Sequence, residues 1–240
     1  MSDIIVENWL DLHDKLFQPV WQPDIKRFRA QLAFRGLSDA GYDLSTSLMR
    51  LGGPYERLEK HLVRNFRKYA QRDAVPRDST WNWLTLAQHH GLPTRLMDWT
   101  FSPYIAMHFA TADLEQFKTD GVIWAVDYVK VHQSLPATFR SELEKEGADL
   151  FTVEMLERAA PSVEALEQIS EEPFLLFLEP PSLDDRVVNQ YALLSVMSRS
   201  TARVDEWLAA HPHFHARYII PAGLKWEIRD KLDQANINER

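Results

Sequence analysis

Apolar residues recur every three or four positions between Pro54 and Ala74, and this spacing constrains the fold more than any other feature of the sequence. Such a pattern places the apolar side chains on one face of a helix, so we expect a long amphipathic α-helix here. The run Gly121–Asp127 is instead rich in β-branched and aromatic residues, and it predicts a buried strand. Because amphipathic helices and a sheet each need a surface to cover, the sequence predicts an α+β fold.

Further runs extend both kinds of element. Additional strands are predicted at Gln31–Gly36, Pro173–Pro181, Gln190–Val196 and Phe214–Ile220, and additional helices at Ile5–Phe17, Trp81–Gly91, Ser102–Leu114, Glu142–Ile169 and Leu224–Leu232. Ser102 is a suitable N-cap before Pro103, and Gly91 followed by Pro93 is a helix-ending signal. We therefore expect a central mixed or antiparallel sheet flanked by helices, with residues 1–28 as an N-terminal helix and loop and residues 29–240 as the main domain.

Composition excludes several classes of protein. The 240 residues include no cysteine, which rules out disulfides and thiolate metal sites and fits a reducing compartment. The first residues lack a signal-peptide pattern and no long uncharged run follows, so we expect a cytoplasmic protein without a membrane segment. The net charge of -8 argues against sequence-blind binding to nucleic acid. The basic residues between Arg57 and Arg72 could still form either a solvated helix face or a phosphate-steering surface.

The densest group of polar side chains lies between Gln88 and Trp99. It includes His89, Arg95 and Asp98, and polar groups of this kind are buried only as a satisfied network or a functional site. For Arg95 and Asp98 a structural ion pair with a helix cap is the alternative, and for His89 it is an ordinary helix-end histidine. The spacing of the histidines matches no metal motif, so no metal site is predicted.

Arg35 is the best candidate for contact with an anion. It stands directly before Gly36 at the end of a predicted strand, its guanidinium matches the geometry of a phosphate, and the glycine would allow a ligand to approach closely. The alternative is an arginine that braces a turn. Neither a P-loop nor a dinucleotide-binding glycine motif occurs, and there is no G-x-S-x-G elbow.

Two stretches together resemble a known family. The tripeptide Phe34-Arg35-Gly36 and the block from Leu86 to Thr100, which continues through Ser102-Pro103, closely resemble the FRG domain, a family named for that tripeptide. The resemblance extends over residues 34–239, with Arg186 and Asn189-Gln190 at the place of a later arginine and glutamine segment. The chain is therefore identified by resemblance as a member of the FRG domain family.

The same pattern is similar to the ADP-ribosyltransferase fold, and this similarity implies NAD as a substrate. It implies catalytic roles for Arg35, His89, Asp98 and Gln190, with His89, Asp98 or Glu179 as the proton acceptor. Residues implied to contact the dinucleotide are Phe34, Arg35, Gly36, Tyr42, Thr94, Arg95, Trp99, Thr100 and Ser102. The implied reaction is transfer of ADP-ribose to a nucleic acid or protein, as in a bacterial toxin or defence effector.

Two other functions stay open from the sequence. A non-catalytic module could bind a nucleotide or nucleic acid through Arg35, Arg95 and the basic stretch from Arg57 to Arg72. A protein-interaction domain could use the polar block only as a structural network. Substitution of Arg95 or Asp98 by alanine separates the two functions. If the polar block is a structural network, the variant protein should unfold, whereas if the block is a binding site, the variant should fold but be inactive.

Overall fold

The computed structural model describes residues 3–17, 21–23, 26–28, 31–70, 75, 77–181 and 191–238. Its strands are β1 (Ile4–Ile5), β2 (Trp21–Gln22), β3 (Arg27–Phe28), β4 (Leu32–Leu37), β5 (Leu96–Thr100), β6 (Gly121–Asp127), β7 (Leu175–Leu178), β8 (Ala192–Met197) and β9 (His215–Ile220). Its α-helices are α1 (Trp9–Phe17), α2 (Tyr55–Tyr69), α3 (Thr80–His89), α4 (Pro103–Thr111), α5 (Tyr128–Gln133), α6 (Ala137–Glu146), α7 (Val153–Ala159), α8 (Val163–Gln168), α9 (Val204–Ala210) and α10 (Lys225–Gln234). The predicted α+β class is confirmed.

Strand β5 was not predicted. It lies inside the polar block, and Asp98 at its centre is exposed while the residues on either side are buried. A strand of five residues with a charge in the middle gives too few positions for period-two alternation to stand out from the polar residues before it.

The chain forms two compact units, each assembled from separate stretches. The first unit comprises Met1–Asp43, Trp99–Asp127 and His211–Arg240, and the second comprises Leu44–Asp98 and Tyr128–Ala210. The domain extents predicted from the sequence, residues 1–28 and 29–240, stay predictions.

In the first unit, β6 lies between β4 and β9 and pairs antiparallel with both. Strand β1 pairs parallel with β9, and Thr100 of β5 pairs with Phe34 on the other side of β4. The sheet is therefore mixed, which is one of the two arrangements predicted from the sequence. Residues from α1, α4 and α10 pack against one face of it, and the core includes Leu12, Leu16, Phe34, Ala106, Met107, Ala110, Ile123, Ala125, Tyr218, Ile228 and Leu232.

Gly36 is where the backbone of α4 comes closest to this sheet. A Cβ atom at residue 36 would lie 1.8 Å from the carbonyl oxygen of Ala106 and 2.7 Å from the backbone nitrogen of Ala110. Only glycine leaves space for such an approach between strand and helix. The predicted close approach at Gly36 is therefore made by a helix and not by a ligand.

The core of the second unit is built from helices α3, α6 and α7 and from the antiparallel pair of β7 and β8. Ser79 caps α3 by accepting a hydrogen bond from the backbone of Asn82. Trp81 is fully buried, and its indole Nε1 donates to the carbonyl of Ala160 at 2.7 Å. None of the described helices is both long enough and apolar enough to cross a membrane.

His132 is a buried link between three elements of this unit. Its Nδ1 lies 2.8 Å from the carbonyl oxygen of Asp149, and its Nε2 accepts the backbone N–H of Phe177 at 2.9 Å. This arrangement requires the neutral tautomer with the proton on Nδ1. Burial, partly opposed by the bond to Asp149, lowers the pKa of His132 from 6.5 to about 4.

The low pKa of His132 predicts a loss of stability in mild acid. Between pH 6.5 and 4 the histidine takes up a proton in the unfolded chain but not in the folded one, so the free energy of unfolding falls as the pH falls. The loss should approach about 3 kcal/mol by pH 4. Denaturant unfolding of His132→Gln, whose amide can both donate and accept, should lose less stability than the parent between pH 7 and 4.5. Parallel losses in the two proteins would contradict the assignment.

Candidate functional site

Arg35 lies on the face of the first unit's sheet opposite to α4. Side chains alternate along a strand, and Phe34 and Gly36 both face the helix side. Arg35 is the pairing partner of Trp124 on β6, and Trp124 is the partner of Arg217 on β9. Directly paired residues point to the same face, so these three side chains form one row across three strands.

Arg217 is held in this row by several contacts. Its guanidinium carbon lies 4.8 Å from the centroid of the Trp124 ring, in a cation–π arrangement. Its Nη1 donates to both carboxylate oxygens of Asp3, at 2.9 and 3.1 Å, and its Nη2 donates to the carbonyl of Ala40 at 3.1 Å. These bonds leave little freedom to the guanidinium group.

His215 adds a titratable ring to the row. Its ring centroid lies 5.4 Å from that of Trp124, and it stands two residues before Arg217 on the same strand. Burial lowers the pKa of His215, a hydrogen bond to the backbone of His211 partly opposes this, and the positive charge of Arg217 lowers it further. The imidazole is therefore neutral at pH 7. We call Arg35, Trp124, His215 and Arg217 the donor cluster.

Three atoms of the donor cluster are buried and lack a hydrogen-bond partner among the described residues. They are the indole Nε1 of Trp124, the Nδ1 of His215 and the Nε of Arg217. Trp124 is only 6% exposed, so its N–H has little access to bulk water. A buried polar group without a partner costs about 1–3 kcal/mol. Since indole and guanidinium nitrogens can only donate, the cluster would be satisfied by a ligand rich in acceptor oxygens.

Tyr42 lies on an anchored loop that follows β4. Ser38 donates to the carbonyl of Phe109 at 3.0 Å, and the backbone of Ala40 donates to the carbonyl of Asp120 at 2.7 Å. Arg217 adds its own bond to Ala40. Tyr42 itself is 47% exposed, so its ring is accessible for stacking on a planar group.

In the second unit, Gln88 joins two residues of the polar block. The hydroxyl of Thr94 donates to Oε1 of Gln88 at 2.6 Å, and Nε2 of Gln88 donates to Oδ2 of Asp98 at 2.9 Å. Thr94 is fully buried, and its hydroxyl also accepts the backbone N–H of Leu96. The ribose contact predicted for Thr94 is incompatible with this burial, whereas Asp98 is exposed on β5.

Arg95 has a structural position that differs from its predicted role. It is 5% exposed, and its Nε donates to Glu59 at 2.6 Å while its Nη1 donates to Glu167 at 2.8 Å. Glu59 also accepts the backbone N–H of Arg95, so the carboxylate holds both the side chain and the strand. The expected ion pair is present, but it joins Arg95 to these two glutamates. We therefore leave Arg95 out of the site.

The ends of α3 and α4 account for three more predicted site residues. Ser102 caps α4 by accepting the backbone N–H of Ile105, with Pro103 in the first turn, as predicted. Thr100 is 4% exposed and accepts the backbone N–H of Ser102. His89 is the last residue of α3, and its ring lies 5.3 Å from that of His90.

The remaining predicted site residues differ in accessibility. Phe34 is fully buried in the core of the first unit, which excludes a ligand contact. Trp99 is 4% exposed at the end of β5. Gln190 lies outside the described residues. Within the described part of the chain, no three histidine, aspartate or glutamate side chains are grouped as metal ligands.

Trp124, His215 and Arg217 are missing from the sequence-based site. The sequence signal for His215 and Arg217 is that these two polar residues stand at alternate positions of β9, in a strand that also carries apolar residues. That alternation indicates one polar face. Their association with Arg35 depends on the register of three strands, which no local pattern contains.

Comparison with known proteins supports one family. The family model of the FRG domain matches residues 30–119, which include Arg35 and the whole polar block. No curated protein matches the chain, and no solved structure matches it. The match agrees with the resemblance identified in the sequence and adds no activity to it.

Proposed function

We propose that this chain, whose residues 30–119 match the family model of the FRG domain, binds NAD through the donor cluster and transfers its ADP-ribose to a nucleic acid or protein acceptor. One observation supports the proposal above the others: the buried donor nitrogens Nε1 of Trp124 and Nε of Arg217 lie beside Arg35 without an acceptor among the described residues. The oxygens of a pyrophosphate accept several such bonds at once. An acceptor of either kind would suit a toxin or defence effector.

The proposed reaction breaks one bond and forms one. The glycosidic bond between C1′ of the ribose and the nicotinamide nitrogen breaks, and its electron pair leaves with nicotinamide. Positive charge develops on the ribose, and a nucleophilic nitrogen or oxygen of the acceptor bonds to C1′ and gives up its proton. The site must therefore hold the pyrophosphate in place, orient the ribose and accept that proton.

The residues of this chain would divide these tasks. The donor cluster, which includes Arg35, would bind the pyrophosphate, and Tyr42 would stack on a planar ring of the dinucleotide. The roles that the resemblance implies for His89 or Asp98 as proton acceptor and for Gln190 in orienting the acceptor molecule stay predictions, because His89 and Asp98 belong to the second unit. An amide cannot act as a base at neutral pH, so Gln190 can only position.

A second candidate function uses the same cluster without turnover. In the second unit, helix α2 carries exposed basic residues at Arg57, Lys60, Arg64, Arg67 and Lys68, and these could by themselves bind phosphates of a nucleic acid. A non-catalytic module would then bind nucleotide or nucleic acid with an affinity that falls steeply with salt.

Release of nicotinamide from NAD tests the first proposal. We expect the purified chain, incubated with NAD and candidate acceptors, to release nicotinamide, measured by liquid chromatography. Arg35→Ala should lower that rate by at least about 100-fold, since it removes a charged donor from the transition state. Lys118→Ala is the matched control, because Lys118 is an exposed cation of the same unit outside the cluster.

A thermal-shift titration separates the two candidates. NAD at 100 times its dissociation constant should stabilise the parent by about 2.7 kcal/mol, and Arg217→Gln should reduce that shift. Stabilisation with no nicotinamide release over prolonged incubation would favour the non-catalytic module. Absence of both stabilisation and release would reject the donor cluster as a nucleotide site.

A further inference from the structure

The second unit contains a pocket that is separate from the donor cluster. Its volume is about 390 Å³, within the range of small-molecule sites. It lies between the side chains of α2, the beginning of α3 and the beginning of α8, and its lining comprises Glu59, Lys60, Val63, Arg64, Arg67, Thr80, Trp83, Leu84, Val163 and Glu164. Its walls are mostly apolar and its rim carries cations.

The aromatic wall of the pocket is held in place by its neighbours. The indole Nε1 of Trp83 donates to Oδ1 of Asp78 at 2.7 Å. The guanidinium carbon of Arg67 lies 5.2 Å from the centroid of the same ring, and Phe66 contacts the ring edge-on. A wall fixed in this way costs a ligand little ordering free energy on binding.

Among the cationic side chains that line the pocket, one is paired with no carboxylate within the described part of the chain. Arg67 pairs with Asp78 at 2.5 Å, and Lys60 lies 3.8 Å from Glu164. Glu59 is occupied by Arg95. Arg64 is exposed and forms no ion pair within the described ranges of the chain. The pocket therefore combines an apolar interior with a single unneutralised guanidinium at its mouth.

We propose that this pocket binds a small apolar carboxylic acid, with the carboxylate on Arg64 and the apolar body against Trp83, Leu84 and Val163. The guanidinium fork pairs with a carboxylate through two parallel hydrogen bonds. The apolar side chains remove the rest of the ligand from water. This site does not depend on the proposed NAD chemistry.

The surroundings disfavour two other ligands. A phosphate monoester carries nearly two negative charges, and the second would face Glu164 without a free cation to neutralise it. A nucleobase would bury polar edges against Val63, Leu84 and Val163, which offer no hydrogen bonds. A singly charged acid with an apolar body fits both the charge and the lining.

Calorimetric titration of the full chain with cinnamate tests the site. We expect one saturable event per chain, with a dissociation constant below about 1 mM. Arg64→Gln should weaken cinnamate binding about 10-fold or more, because it removes the charged hydrogen bonds, and should leave binding of the neutral cinnamyl alcohol unchanged. Arg57→Gln is the matched control, since Arg57 is an exposed arginine of the same helix outside the lining.

A variant that fills the pocket gives an independent result. Val163→Phe should abolish binding of both the acid and the alcohol, with folding checked by its melting curve. The proposal is overturned if cinnamate shows no saturable binding, if Arg64→Gln and Arg57→Gln weaken it equally, or if phenyl phosphate or adenosine monophosphate binds more tightly than cinnamate at a site that Arg64→Gln weakens and Val163→Phe abolishes.

Discussion

Gly36→Ala should lower the free energy of unfolding by more than about 3 kcal/mol, at the upper end of overpacking penalties. The new methyl group would overlap the backbone of α4 at Ala106 and Ala110, with its carbon 1.8 Å from a carbonyl oxygen. Backbone atoms cannot rotate away as a flexible side chain can. Strand β4 and helix α4 would have to separate, which would loosen a core that includes Phe34 and Met107. Chemical denaturation monitored by circular dichroism measures the loss.

Gly223→Ala is the control for this prediction. Gly223 belongs to the same unit, and a Cβ atom there would have no heavy atom within 4 Å. The substitution should therefore leave stability unchanged or raise it slightly, because alanine restricts the unfolded chain more than glycine does. If Gly36→Ala and Gly223→Ala had similar stabilities, the close approach of α4 to β4 would be wrong.

Arg95→Ala should destabilise the protein by about 3–5 kcal/mol, the usual loss when one partner of a buried ion pair is removed. The truncation would leave Glu59, whose side chain is 4% exposed, with a buried charge that lacks its guanidinium. Glu167 would also lose its partner, although it is more exposed and should contribute less. Urea unfolding at neutral pH gives the difference directly.

The double variant Glu59→Leu with Arg95→Met tests the cause of that loss. Replacing both partners removes the uncompensated charge, so the double variant should recover much of the stability lost by Arg95→Ala. If the Arg95→Ala protein were stable and folded but failed to bind nucleotide, the structural role of Arg95 would be wrong. The binding role predicted from the sequence would then be correct.

Local patterns predicted most of the elements because their causes are local. Strand β6 has the predicted bounds, since a run of β-branched and aromatic residues marks it without reference to the rest of the chain. Helix α4 begins after Ser102 as predicted, since the cap and the proline act within one turn. Strand β5 could not be predicted from its own residues, because its stability depends on pairing with strands elsewhere in the chain, such as β4.

The candidate site was only partly predictable. The sequence pointed to Arg35, and the structure places that arginine in a row with Trp124 and Arg217. The sequence also pointed to Arg95, but its guanidinium bonds to Glu59, 36 residues away, and Glu167, 72 residues away. Contacts over such separations are set by chain topology, which residue spacing does not reveal.

Residue order alone was therefore enough to identify the fold class, the cap of α4 and the similarity of residues 30–119 to the FRG domain, because each depends on short stretches of residue types. The different environments of Arg35 and Arg95 came from the packed structure. A guanidinium carries the same charge and the same donors wherever it occurs. Whether it lies beside Trp124, as Arg35 does, or between the carboxylates of Glu59 and Glu167, as Arg95 does, depends on the groups that folding brings around it.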